Sequence, residues 1–492
     1  MKRLLRLLLS RTALILLLVF FQILLFLFLI AYIARFEFIS TFLYVLSVII
    51  ALYLIAKEEN PIYKLSWIVP ILVFPLFGGL FYLFYRQRNV NPKMLEHMRT
   101  ITSDRFRYIE LIPLKQDRNA TYLERFGYAS YRRTRSTFIP SGESFYEQLI
   151  EDIRNAKSYV FLEFFIISKS QIWNRILRVL QERVRAGVEV RIIYDDFGSY
   201  SLPFRYPKKL RAEGFRVINF NPIRLHINFI YNYRDHRKVV VIDGNIGYTG
   251  GMNIGDEYMN VVHPFGHWRD AMVRLEGDAV WSLALTFIQN WRFQSKEEID
   301  YERYRGSVTH ESSGLVIPFD DMPLDQELTT KNIYLSLISN AEESILITTP
   351  YLIIDSELTT ALTNAAKSGI DVRIIIPFVP DKRFVLMVTE SFIPELIESG
   401  VKIYRYKPGF IHSKMLIADR KKALFGTANF DFRSLYLHFE NSIYYDSDPV
   451  IADMLRYYQE TEAESVLAET LKKRNILYRL VQTLLRGFAP LL

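Results

Sequence analysis

Two stretches, HRKVVVID at His236–Asp243 and HSKMLIAD at His412–Asp419, share one spacing: His, Lys two residues on, and Asp five beyond the Lys. A small-residue turn ending in Asn follows each, GGMN at Gly250–Asn253 and GTAN at Gly426–Asn429. The chain has eight histidines, so a single match is expected by chance roughly 0.02 times. Two matches with the same downstream turn are far rarer. HRKVVVID starts with the polar–apolar alternation of a strand, and residues i and i+2 of a strand face one side. His236 and Lys238 therefore project together, as do His412 and Lys414. The glycine-led turns let backbone and the amides of Asn253 and Asn429 approach an anion. Each copy supplies an imidazole, an ammonium and an amide, and two copies face to face would enclose one phosphate. Asp243 and Asp419 lie too far along their strands to share it.

The surrounding text repeats in the same register. NAKSYVFLEFFII (Asn155–Ile167) leads to RAGVEVRIIYDD (Arg185–Asp196), and NAEESILITTPYL (Asn340–Leu352) leads to KSGIDVRIIIPF (Lys367–Phe378). A glycine-led strand follows each, from Gly214 and Gly400, and each half closes on a helical pattern, Val280–Trp291 and Val450–Thr461. Short β-branched runs alternating with amphipathic stretches give an α/β fold of two duplicated halves. The expected bounds are 136–300 and 325–470.

The first 90 residues differ in texture and read as a membrane anchor. Thr12–Ile33, Phe38–Ala56 and Leu65–Tyr85 are uncharged apolar runs, each long enough to cross a hydrocarbon core of about 30 Å. Pro70, Pro75 and Gly78-Gly79 interrupt the third, so it either crosses or enters and turns back. Lys2, Arg3, Arg6 and Arg11 precede the first run; Arg86, Arg88, Lys93, Arg99, Arg105 and Arg107 follow the third. Both clusters prefer the cytoplasmic side, which two spans plus a re-entrant segment would satisfy. At the other end, 474–492 mixes Leu, Ile and Phe with Arg at helical spacing, as an interfacial or a core-packing helix does.

A net charge of +8 suits an anionic partner, phospholipid or nucleic acid. The absence of cysteine excludes disulfides, thiol nucleophiles and Cys-based zinc sites. Two ammonium groups beside the histidines favour a phosphate over a divalent cation, so no metal is expected.

The paired HxKxxxxD motifs with their GGxN and GTxN turns resemble the phospholipase D superfamily. The flanking stretches DHRKVVVIDGNIGYTGGMNIGDEY, GHWRD (Gly266–Asp270), FIHSKMLIAD and GTANFDFRS are similar to bacterial cardiolipin synthases. The resemblance implies two pseudo-symmetric αβ domains with mixed sheets behind transmembrane helices. It implies transfer of a phosphatidyl group between two phosphatidylglycerol molecules, giving cardiolipin and glycerol, without a cofactor. His236 would be the nucleophile and His412 the general acid and base, with Lys238, Lys414, Asn253 and Asn429 on the phosphate oxygens. Asp243 and Asp419 would be structural partners that define the motif. The family places a histidine-orienting acid about thirty residues downstream of each histidine. Asp270 stands 34 residues after His236, and Glu440 stands 28 after His412. The implied partners are anionic phospholipid and the bilayer, and the apolar runs argue against nucleic acid. The expected location is the cell membrane, multi-pass, with the catalytic halves on the cytoplasmic face that the flanking Lys and Arg clusters prefer. A phospholipase D, or a phosphatidyltransferase with another acceptor, would carry the same motifs.

Overall fold

The computed structural model describes residues 37–57, 61–75, 92–111, 117–222, 233–295, 297–324, 327–468 and 475–487, with single positions at 24, 28, 78, 79, 82 and 489. The chain divides into two compact units, Met1–Arg86 and Gln87–Leu492.

In the first unit, α1 (Glu37–Ala56) is the one helix among the described residues long and apolar enough to cross a membrane. Its large side chains, Phe42, Val45, Ile49, Leu52 and Ile55 among them, stay exposed, as lipid-facing residues do. The first apolar run, Thr12–Ile33, lies almost wholly outside the described residues. The third is not one straight helix. α2 (Pro61–Val73) contains Pro70, and a Cβ on Gly78 would strike the Pro70 carbonyl. The Trp67 and Tyr82 rings are 5.6 Å apart. Fifteen residues of continuous helix would separate them by about 22 Å, so this segment doubles back on itself. The chain bends at Phe74, directly before Pro75, whose ring disfavours the helical conformation of the residue preceding it.

The second unit opens with α3 (Pro92–Asp104) and α4 (Arg118–Arg125) and then builds two sheets on one plan. The first comprises β1 (Thr134–Ile139), β2 (Tyr159–Phe164), β3 (Glu189–Asp195), β4 (Arg216–Phe220), β6 (Lys238–Ile242), β7 (Ile246–Gly250) and β9 (Met272–Gly277), in the order β1-β9-β7-β6-β2-β3-β4. The second comprises β10 (Leu315–Asp321), β11 (Ser344–Thr348), β13 (Asp371–Pro377), β14 (Lys402–Tyr406), β16 (Met415–Ala418), β17 (Lys422–Gly426) and β19 (His438–Asp446), in the order β10-β19-β17-β16-β11-β13-β14, with β20 (Ser465–Leu467) added at its edge. Strand for strand the two orders correspond; β12 (Leu352–Ile353) and β18 (Phe430–Asp431) pair with each other apart from both sheets. In each, three parallel strands pair with an antiparallel set, so both sheets are mixed.

The second half starts at Leu315, not at 325. Its first strand, LVIPFDD, carries Pro318, which argues against a strand inside a sheet; β10 lies at the sheet edge, where proline is tolerated. Helices α5 (Gly142–Arg154), α6 (Gln171–Arg185) and α7 (Tyr206–Ala212) connect the strands of the first half. α8 (Val280–Ser295) follows it, with thirteen of its sixteen residues buried. One continuous apolar core takes residues from both sheets, Phe161, Val239 and Val241 from the first and Met415, Ile417 and Phe425 from the second, with Phe287 of α8 among them. The two halves therefore share one core. In the second half lie α9 (Thr329–Ser339), α10 (Ser356–Lys367), α11 (Arg383–Glu398), α12 (Phe432–Tyr436) and α13 (Val450–Ala463). The last helix, α14 (Ile476–Gly487), docks on α11 through polar groups: Tyr478 on Glu390 at 2.7 Å and Gln482 on the Met387 carbonyl at 2.9 Å. Its apolar residues Ile476, Leu477, Leu480 and Leu484 remain exposed, so it is not a core helix.

Candidate active site

Two short ladders join the halves and position the histidines. β5 (Arg234–Asp235) runs parallel to the start of β19, pairing Arg234 with His438 and Asp235 with Phe439. β8 (His267–Arg269) runs parallel to β15 (Gly409–Ile411), pairing Ile411 with Arg269. One residue further in each register sits a histidine beside a carboxylate of the other half. The His236 amide donates to the Phe439 carbonyl at 2.9 Å, and the His412 amide to the Arg269 carbonyl at 2.7 Å.

The side chains follow. His236 Nδ1 lies 2.9 and 3.0 Å from the two Glu440 oxygens, and His412 Nδ1 lies 2.6 Å from Asp270 Oδ2. This corrects the expected pairing. The acid downstream of each histidine serves the histidine of the other half, because the ladders cross the pseudo-symmetry axis. Spacing along the chain carries no information about that exchange.

Each carboxylate has further donors. Thr427 Oγ1 donates to Glu440 at 2.5 Å, and the Ala271 amide donates to Asp270 at 2.8 Å. The turn residue equivalent to Thr427 is Gly251, where a Cβ would land on the Asp270 carboxylate. The GG and GT turns thus differ to suit a short and a long acid.

His236, Lys238, His412, Lys414, Asp270 and Glu440 are all buried. Burial pushes both imidazoles down, His236 to about 3 and His412 to about 4, despite their carboxylates. Burial also lowers Lys238 to about 8 and Lys414 to about 7. Asp270 and Glu440 are held below the ordinary carboxylate range by their histidines, against the effect of burial. At neutral pH each pair is therefore a neutral imidazole beside an anion that can only accept. The shared proton sits on Nδ1 and leaves the Nε2 lone pair free. An anion entering between the lysines would raise the proton affinity of His412 and of both ammonium groups.

The other motif residues have distinct places. Lys238 Nζ donates to the His236 carbonyl at 2.6 Å, and Lys414 Nζ donates to the His412 carbonyl. Gly250 and Gly426 lie opposite the lysines across the β6–β7 and β16–β17 ladders, which brings the Asn turns alongside. Asn253 Oδ1 accepts from the Ile166 amide at 3.1 Å, and Asn429 Oδ1 is buried with no hydrogen-bond partner among the described residues. Asp243 accepts from the amides of Lys157, Ser158 and Tyr159, and Asp419 from those of Glu342, Glu343 and Ser344. Both cap the start of the neighbouring strand and stand apart from the histidines. Arg237 points away from the site to Asp320 at 2.9 Å, which Arg105 also holds at 2.5 Å.

Two residues escaped sequence reasoning. Trp268 and His438 each stand two positions before a carboxylate, and each backs a histidine: Trp268 on His412 with ring centroids 4.9 Å apart, His438 on His236 at 5.4 Å. Their common offset from Asp270 and Glu440 was the available signal. His438 also bears on metals. His236, His438 and Glu440 place donor atoms within 4.8 Å of one another, a His-His-carboxylate set that zinc accepts. Two of the three already hydrogen-bond each other and the Lys238 ammonium stands alongside, which favours an anion.

Comparison with known proteins places this geometry. Residues 149–274 and 334–461 match the family described as "Cardiolipin synthase, PLD-like domain", and residues 42–87 match "Phospholipase_D-nuclease N-terminal". A Streptococcus mutans protein of uncharacterized function is 38% identical over 90% of this chain and 99% of its own. A Geobacillus sp. protein named cardiolipin synthase is 35% identical over 90% of this chain and 92% of its own. Among solved structures, Haemophilus influenzae phosphatidylserine synthase superposes with a TM-score of 0.55 at 18% identity, covering 72% of this chain and 93% of that one, a likeness of fold. With its two halves matched to that family and close relatives along nearly its whole length, the chain belongs to the bacterial cardiolipin synthases, phosphatidyltransferases of the phospholipase D superfamily.

Proposed function

We propose that this protein transfers the phosphatidyl group of one phosphatidylglycerol to the terminal hydroxyl of a second, releasing glycerol and forming cardiolipin. The observation that carries this reading is the exchanged pair of His–carboxylate couples with one lysine beside each. His236 Nε2 attacks phosphorus and the bond to the glycerol oxygen breaks, with His412 donating a proton to the leaving alkoxide. The incoming hydroxyl then gives its proton to His412 while its oxygen displaces His236. Lys238 and Lys414 hold the non-bridging oxygens as charge builds. One phosphodiester replaces another, so no nucleotide is consumed. The test is purified protein in phosphatidylglycerol micelles with the lipid products resolved. Cardiolipin and free glycerol are expected. Phosphatidic acid alone would make water the acceptor and the protein a phospholipase D. Turnover should persist in EDTA; loss restored by one stoichiometric divalent ion would overturn the lysine-based site.

The catalytic halves face the cytoplasm in this reading, with the doubled-back segment around Pro70–Tyr82 re-entrant. The support is the fold-back itself and the basic residues on both flanks of the apolar region. The chain has no cysteine, so one introduced at exposed Ser368, at the end of α10, reports sidedness cleanly. Ser368→Cys should resist an impermeant maleimide in intact cells and react after lysis. Labelling before lysis would put the halves outside.

A further inference from the structure

The loop after β3 exposes aromatic side chains that no described residue covers. Phe197 is 56% exposed, Tyr200 83% and Phe204 94%. The loop is nonetheless firmly built. Asp195 Oδ1 accepts from the Phe197 and Gly198 amides at 3.0 and 2.9 Å. The Ser199 hydroxyl accepts from the Ile167 amide at 2.9 Å, and Ser201 from the Lys169 amide at 3.3 Å. At its exit Trp173 Nε1 donates to the Tyr206 hydroxyl at 2.6 Å. Three aromatic rings are thus held out on a pinned loop, where holding them costs little further conformational entropy on binding.

Charge identifies the partner. Arg205, Lys208 and Lys209 follow the rings directly and are exposed. Exposed aromatics with cations immediately behind them match the chemistry of an anionic lipid surface: rings enter the headgroup boundary, and ammonium and guanidinium groups stay among phosphates.

Position ties the loop to the site. Arg234, two residues before His236, stacks its guanidinium 5.0 Å from the Phe197 ring. Gly198 packs against the Phe165 carbonyl, and the Phe165 ring lies 5.0 Å from that of His236. The other half repeats the arrangement. The loop after β13, the counterpart of β3, exposes Phe378, and Phe384 is exposed in the first turn of α11 just beyond it; the Phe378 amide donates to the Gly409 carbonyl at the start of the strand leading to His412.

We propose that the Phe197–Phe204 loop, with its counterpart at Phe378–Phe384, inserts into the surface of an anionic bilayer and seats the paired histidines at headgroup depth. The proposal rests on the lipid-transfer reading above and adds how substrate reaches a buried site without leaving the membrane.

The test uses the full chain reconstituted in vesicles of phosphatidylglycerol and phosphatidylcholine. A single Phe204→Cys carries an environment-sensitive fluorophore, with labelled Ser368→Cys as the reference. Quenching of the Phe204 probe by spin-labelled acyl chains, with the Ser368 probe unquenched, is expected and needs no turnover, so it stands apart from the lipid-transfer reading. An aqueous Phe204 probe would overturn the proposal, as would a shift produced by protein concentration in detergent, which would mark contact with a second copy. In the second arm, Tyr200→Ser with Phe204→Ser should lower turnover of vesicle phosphatidylglycerol about tenfold or more. Turnover of a monomeric short-chain phosphatidylglycerol should be unchanged. Equal loss on both substrates would make the loop part of the catalytic scaffold and overturn the proposal.

Discussion

Alanine at His236 is expected to lower turnover by a factor of roughly 10⁴ or more, and alanine at His412 by as much, because a nucleophile and a proton shuttle act as one unit. The two losses should differ in kind. Without His412 the first step still has its nucleophile, and a phosphatidyl ester with a good leaving group needs no proton donor. Such a substrate should leave a phosphatidyl adduct on His236 that waits for a hydroxyl no base activates. Without His236 no adduct should form on any substrate. Mass spectrometry of the quenched protein reads the difference. An adduct on His412 would reverse the roles, and full turnover in either variant would remove the two-half-site chemistry altogether.

Much of this was legible in the sequence because the repeat is chemical as well as structural. Two copies of one strand pattern, each with its Lys and Asn turn, specified two matching sheets, and the sheets follow one strand order. What could not be read were features lying across the two copies. β5 and β8 are two and three residues long, too short for any periodicity, yet they set the register that carries each histidine to the opposite carboxylate. The backing rings of Trp268 and His438 are defined by that same register. β10 was missed for the opposite reason: Pro318 carries a local signal that an edge position overrides. In the first unit, Pro70, Pro75 and Gly78-Gly79 left Leu65–Tyr85 free either to cross or to turn back, and the packing of Trp67 on Tyr82, which composition does not specify, goes with the turn.

The exchanged carboxylates make the second large prediction. Glu440→Gln keeps the size of the side chain but removes the anion that fixes the proton on His236 Nδ1. An amide NH₂ turned toward the ring selects the opposite tautomer and takes the Nε2 lone pair out of play, with an expected loss in kcat of about 10³ to 10⁴. Asp270→Asn does the same to His412. Leaving-group chemistry separates the two. His412 serves the first step by protonating the departing oxygen, so a substrate with an acidic leaving group should restore the first turnover of Asp270→Asn. It should not restore Glu440→Gln, where attack itself has failed. Pre-steady-state release of that leaving group measures both. Were each acid to serve the histidine upstream in its own half, the pattern would invert: Glu440→Gln would be rescued and Asp270→Asn would not. Rescue of Asp270→Asn alone is the outcome required by His236 at 2.9 Å from Glu440 and His412 at 2.6 Å from Asp270.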